Sequence, residues 1–293
     1  MALLPYKPDL KTELDAMPIT ELFVNYFNWR LRYVAQETRN VHKSREFLAN
    51  SLSSDLIYQS ALATIISDIE SGNDLTRYLS RRIKYGYMKR IPGAYTRQRD
   101  MDMMLNDWSI HHLHMNVTLE NDGFVIRTSD VLFVGFGPHD AYLINIFPHC
   151  PPNWASSEVA DILIENFPES RFVHEINGIT GLGPQPTDDE RIAMRNNGIA
   201  TPGYVRNGKA YFIGVAPIST AGTSIGATLL VGRLIDLLQK FVNNMTDDPS
   251  YYKKILQESG HTVPQIENFH FLFFPNDHFG IVEENSKTVL HLY

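Results

Sequence analysis

DWSIHHLHM (Asp107–Met115), VLFVGF (Val131–Phe136) and AYLINIFPH (Ala141–His149) decide the fold of this 293-residue chain. The runs are short and apolar, and NDG (Asn121–Gly123) and GPHD (Gly137–Asp140) supply turn residues. The pattern predicts strands over 110–117, 123–127, 131–136 and 141–147, joined as an antiparallel meander. Side chains alternate faces along a strand, so His112 and His114 share one face and His111 takes the other.

Upstream of the meander the apolar spacing turns helical. Pro18 to Phe27 reads as a short helix with Pro in a tolerated first-turn position, and Asn28 to Ala35 alternates bulky and cationic residues as a half-buried strand does. Phe47, Leu48, Leu52, Leu56, Leu62, Ile65, Ile66 and Ile69 fit one long helix, or two broken near Ser51–Ser54, with Gly72 as the stop. Asp74 can cap a further helix to Ile83, with Arg77, Arg81 and Lys84 on one side, and Tyr87 to Arg99 reads as a loop.

Downstream, Ser156 or Ser157 starts a helix that Pro168 stops. The Gly- and Pro-rich stretch from Ile179 to Pro186 marks a boundary. Thr187 and Glu190 fit a capping box, and Asn207-Gly208 fits a two-residue hairpin turn. Ser219–Gly226 leads into an amphipathic helix, reading as a packed connector because it lacks the lysine of a phosphate-binding loop. A strand near Phe269–Phe274 and a hairpin close the chain. The expectation is an α+β fold: a domain over 1–178, with N-terminal helices and a central antiparallel sheet bearing the histidines, and a smaller α+β domain over 179–293.

Composition bounds the function. With 43% hydrophobic and 20% charged residues the chain can bury a core without staples. Its one cysteine, Cys150, excludes an internal disulfide and a four-cysteine zinc site. No signal-peptide pattern and no long apolar run occur, so a reducing, cytoplasmic location without membrane insertion is expected. The net charge of −7 argues against nonspecific coating of nucleic acid, but it is uneven. Residues 1–105 carry 15 Lys and Arg against 12 Asp and Glu, whereas the remainder carries 11 against 21. Eight Lys and Arg and no acid lie between Leu75 and Arg99, among Tyr78, Tyr85, Tyr87 and Tyr95. Cations neutralise phosphates and aromatic faces stack unpaired bases, which suits single-stranded RNA.

Two imidazoles on one face can serve as acid and base, because their ordinary pKa of about 6.5 populates both protonation states near neutrality. His112 and His114 are therefore the candidate pair. A His-x-His strand can also hold a borderline metal, with His149 or His139 completing the set. The structural alternative is that the histidines only support the sheet around Asp107 and Trp108.

The basic segment, the Ile110–Met115 strand and the two strands ending at Pro148-His149 resemble the core of RelE/ParE-like toxins, over Leu75 to Asn153. In that superfamily helices precede a small antiparallel sheet, and many members cut messenger RNA without metal, using basic and His or Tyr side chains. The resemblance implies site roles for Arg127 and His149. His112 and His114 have no fixed counterpart there, and this chain continues well beyond such a domain.

The combined expectation is an endoribonuclease that needs no metal or other cofactor, with His112, His114, Arg127 and His149 catalytic and Arg77, Arg81, Arg82, Lys84 and Tyr85 holding the RNA. The alternatives are a non-catalytic module, docking nucleic acid through the basic run and a protein through the acidic C-terminal half, and a metal-dependent hydrolase with a His-x-His site.

Overall fold

The computed structural model describes residues 16–85, 102–179, 183–200, 203–220, 222–248, 250–258, 269–273, 279–283 and 289–291. The expected loop from Tyr87 to Arg99 lies outside them. The fold is α+β, in two compact units, one running to Val231 and one from Gly232 onward.

The first unit begins with α1 (Ile19–Arg30), β1 (Asn40–Lys43), α2 (Arg45–Ala49) and α3 (Leu56–Ser71). The strand expected over 28–35 is instead partly the end of α1. Asn28 and Trp29 lie next to each other, and a strand would point them to opposite faces. On the helix both are buried: the Trp29 indole donates to the Ile83 carbonyl (3.3 Å), and Asn28 Oδ1 accepts from the Ser224 amide (2.8 Å). The helical run after Ser44 does break near Ser51–Ser54. Asn50 caps a 3-10 turn there, and Asp55 accepts from the Ile57 amide to start α3. Gly72 ends α3 at φ +71°, where a Cβ would lie 2.9 Å from the backbone of Glu37 and Thr38.

The basic run does not form the expected helix. It makes two 3-10 turns, Thr76–Tyr78 and Arg81–Tyr85, while Leu75, Tyr78, Leu79 and Ile83 pack inward. Then come α4 (Met103–Trp108), β2 (Ile110–His114), β3 (Asp130–Phe136) and β4 (Asp140–Pro148). The meander β2–β3–β4 is antiparallel, and β1 adds a parallel edge, giving the order β1-β4-β3-β2. The strand expected at 123–127 is reduced to a single bridge between Leu119 and Val125.

The alternation of the strands builds two cores. One face presents Leu113, Leu132, Val134, Leu143 and Ile146 to Leu62, Ile65 and Ile69 of α3. The other presents Ile110, Val131, Phe133, Ile144 and Phe147 to α5 (Ser157–Asn166), through Val159, Ile162 and Leu163. Side chains as buried as Ile65 and Phe133 contribute roughly 1.5–3 kcal/mol each. Gly135 of β3 is required by Phe172, whose ring would lie 2.8 Å from an added Cβ.

The boundary expected at residue 179 falls inside this unit. β5 (Val173–Glu175) pairs with β7 (Lys209–Ile213), which pairs with β6 (Tyr204–Arg206). The β6–β7 turn is the expected two-residue one, with Asn207 at φ 50° and Gly208 at φ 75°. Between β5 and β6, α6 (Asp188–Asn196) starts with the Thr187–Glu190 capping box and sends Arg195 to Asp107 of α4 at 2.7 Å. That ion pair is nearly solvent-free and ties residues beyond 179 to the histidine-bearing sheet.

The division lies within α7 (Ile225–Asp247). The second unit adds α8 (Tyr251–Glu258) and an antiparallel sheet of β8 (Phe269–Phe273), β9 (Phe279–Glu283) and β10 (Val289–His291), with β9 central. Among the described residues no helix is long and apolar enough to cross a membrane.

Candidate active site at the sheet end

His112 and His114 lie on the α5-facing side of β2, an edge strand, opposite Phe133 and Val131. His149 follows the last residue of β4, and its amide donates to the Ser129 carbonyl (2.7 Å) just before β3. The antiparallel register therefore brings three imidazoles to one end of the sheet. Their ring centroids are 5.1–6.2 Å apart, and one nitrogen from each ring falls within 4.8 Å of the others. His111 points to the other face, against Phe136 (5.4 Å), and takes no part in the cluster.

Each ring of the cluster has a different neighbour. His112 Nδ1 lies 3.3 Å from Asp102 Oδ2, an ion-pair distance that is off the line of a good hydrogen bond. Asp102 is also the cap of α4, its Oδ1 accepting from the Leu105 amide (3.1 Å). His114 Nδ1 accepts from the Thr128 amide (3.3 Å), with the Thr128 hydroxyl oxygen 3.4 Å away. Its Nε2 is buried without a hydrogen-bond partner among the described residues. His149 Nε2 accepts from Arg127 Nη2 at 3.3 Å. Trp154, on the 3-10 turn Pro151–Ala155, closes the apolar side, 4.8 Å from His112 and 5.0 Å from His149.

The electrostatics follow from this packing. Burial, then the neighbouring His112, His149, Arg127 and Arg81, pushes the His114 imidazole down to about 3. Burial, then His112, Arg127 and Arg82, lowers His149 to about 4. Both rings are neutral near pH 7. Burial alone raises the Asp102 carboxyl, but His112 and the Leu105 amide outweigh it and hold Asp102 ionised, at about 2.

Four expected catalytic residues, His112, His114, Arg127 and His149, thus meet in one place. The expected RNA-holding residues behave differently. Arg77 pairs with Asp68, which also accepts from the Tyr78 hydroxyl (2.7 Å) and Asn73 (3.0 Å). Arg81 pairs with Glu120 and Asp122. Arg82 is exposed and adds positive charge at His149. The side chains of Lys84 and Tyr85 lie outside the described residues. His139, the other metal-ligand alternative, is not in the cluster, and Cys150 is occupied by Asn153 Nδ2 at 3.1 Å.

Sequence reasoning missed Asp102, Thr128 and Trp154. Asp102 carries a usable signal, since an Asp directly before Met-Met-Leu reads as a helix cap. Trp154 carries none. It is placed by tertiary contacts: Arg195 donates to its carbonyl, pairs with Asp107 and lies over the Trp108 ring at 4.3 Å. A recess of about 440 Å³ at the start of α6 shares no lining residue with the cluster, and its rim carries Asp188 and Asp189. Comparison with protein-family models, with curated proteins and with solved structures finds no match to this chain.

Proposed function

We propose that this protein cleaves single-stranded RNA by metal-free acid–base chemistry at the histidine cluster, in the manner of a toxin-like endoribonuclease. The observation that carries the reading is the different polar neighbour each of the three rings has: a carboxylate at His112, an amide at His114 and a guanidinium at His149. Asp102 faces His112 Nδ1 and favours a proton there, which leaves the Nε2 lone pair as a base. The Thr128 amide occupies His114 Nδ1, so the neutral ring carries its proton on the unpartnered Nε2 and is a buried donor. Arg127, which donates to His149, brings a permanent positive charge.

In this reading His112 removes the proton of a ribose 2′-hydroxyl, and the 2′ oxygen attacks the adjacent phosphorus. Arg127 and the His114 Nε2–H stabilise the charge that develops on the phosphate oxygens. The 5′ oxygen leaves, is protonated by water, and the other product is a 2′,3′-cyclic phosphate. His149 holds Arg127 in place, and Arg82 attracts the backbone of the RNA.

The test is a time course with end-labelled single-stranded RNA and the matching DNA, with and without chelator. RNA-only cleavage giving cyclic-phosphate ends, unchanged by chelator, is expected. Intact RNA after chelation sinks the reading. One observation favours a metal-dependent hydrolase instead: three imidazole nitrogens within 4.8 Å are close to a ligand set. That reading requires chelator to abolish cleavage.

A further inference from the structure

The geometry points to a regulatory metal site in the same cluster: a borderline divalent cation of the zinc type, bound by His112, His114 and His149, switches the site off. The inference rests on the proposed nuclease reading for what is switched off, but the binding itself does not.

The first support is spacing. A tetrahedral zinc bonded to imidazole nitrogens at about 2.0–2.1 Å holds its ligands roughly 3.3 Å apart. The three nitrogens here already lie within 4.8 Å of one another, so modest side-chain rotations close the gap. His112 and His114 are 9% and 2% exposed and stand on a paired strand, so two of the three ligands are preorganised. His149 stands where the chain leaves β4 and is less buried than the other two rings.

The second support is the shell behind the rings. Metal-bound histidines hand their other nitrogen to a carboxylate or another oxygen, which fixes the ring. Asp102 Oδ2 stands 3.3 Å behind His112 Nδ1. Behind His114 Nδ1 stand both an amide donor, Thr128 N at 3.3 Å, and an acceptor, Thr128 Oγ1 at 3.4 Å. Either tautomer of the ring therefore finds a partner at Nδ1. With its proton on Nε2 it accepts from the amide, and with its proton on Nδ1 it donates to the hydroxyl and frees the Nε2 lone pair for a metal. The buried, unpartnered Nε2 is the atom that gains a bond.

Occupancy removes both functions the reaction needs. The cation takes the His112 lone pair that serves as base and consumes the His114 donor state. It also displaces Arg127 from His149 Nε2, since that nitrogen cannot accept from a guanidinium and bind metal at once.

The experiment is a competition titration of the chelator-stripped full chain with zinc against a chromophoric indicator, followed by RNA cleavage with zinc added and then chelated. The expected result is one zinc per chain, with affinity lowered about 10- to 100-fold in His149→Ala and in Asp102→Asn. His42→Ala, which removes an exposed imidazole on β1, leaves the affinity unchanged. Cleavage stops at one equivalent of zinc and returns on chelation. Binding that ignores His149→Ala, or no binding at micromolar zinc, overturns the site. Zinc that accelerates cleavage overturns its inhibitory role and favours the metal-dependent hydrolase. Zinc bound with the expected stoichiometry to a protein that leaves RNA intact leaves the binding site standing and removes the nuclease reading.

Discussion

The basic run at Arg77–Lys84 and the histidine strand at Ile110–His114 are the two concentrated chemical signals of this chain, and folding treats them in opposite ways. The basic run is acid-free in sequence, yet Asp68 from α3 and Glu120 and Asp122 from the β2–β3 connection reach Arg77 and Arg81. The histidine strand gains chemistry instead. Its two same-face rings are joined by His149, Arg127, Asp102 and Trp154, each from a different segment. A local charge bias is a weak guide to a binding face because opposite charges arrive from anywhere in the fold, whereas same-face alternation on a strand survives folding because the backbone enforces it.

The sharpest way to break this contrast is His112→Ala, which is expected to lower RNA cleavage by about 10²- to 10⁴-fold while far-UV circular dichroism stays native. Full activity in that variant removes the base from the mechanism. Asp102→Asn is expected to lower cleavage by roughly tenfold to a hundredfold, because the amide no longer favours the His112 tautomer with Nε2 free. Its urea midpoint is expected to move little, since Asn remains a good helix cap.

The basic run is tested by stability. Asp68 is buried and accepts from three donors, so Asp68→Ala is expected to cost roughly 2–3 kcal/mol in urea unfolding. The contrast between two arginines sharpens the point. Arg82→Ala is expected to reduce the log–log salt slope of RNA binding by about 0.7, the value for one phosphate contact on a single strand, and Arg77→Ala to leave it unchanged. Equal slopes in the two variants would show that the ion pair to Asp68 does not withhold Arg77 from RNA.

Stability also carries a pH dependence. Burial holds His111 at about 4, His114 at about 3 and His149 at about 4, all below the unfolded value of about 6.5. Between those limits the unfolded chain binds more protons than the folded one, so stability is full above pH 6.5 and falls as the pH drops toward 4. Urea midpoints at pH 7.5, 6 and 5 are expected to decline in that order. His111→Gln is expected to flatten the decline, because His111 is buried on the opposite face, away from the cluster.

Several elements were legible in the sequence for plain reasons. The Thr187–Glu190 box and the Asn207-Gly208 turn are local hydrogen-bonding and backbone devices, and both are in place. The 28–35 alternation misled because it is only a few residues long, and the burial of Asn28 and Trp29 outweighs it. The Gly- and Pro-rich stretch after 179 does not end the first unit, since the Arg195–Asp107 pair and the β5–β7 ladder join residues on either side of it.

What the sequence by itself determined is the strand periodicity: it set His112 and His114 on one face and His111 on the other, and the runs around 131–136 and 141–147 that carry Arg127 and His149 toward the same end. Only the tertiary structure decided which cations enter ion pairs, which carboxylate faces His112, and that Trp154 walls the cluster. The physical reason is range. Alternation is enforced within a few residues by the backbone, while ion pairing, burial and the hydrogen bond that selects a histidine tautomer depend on groups that meet only when the sheet, α4 and α6 are packed.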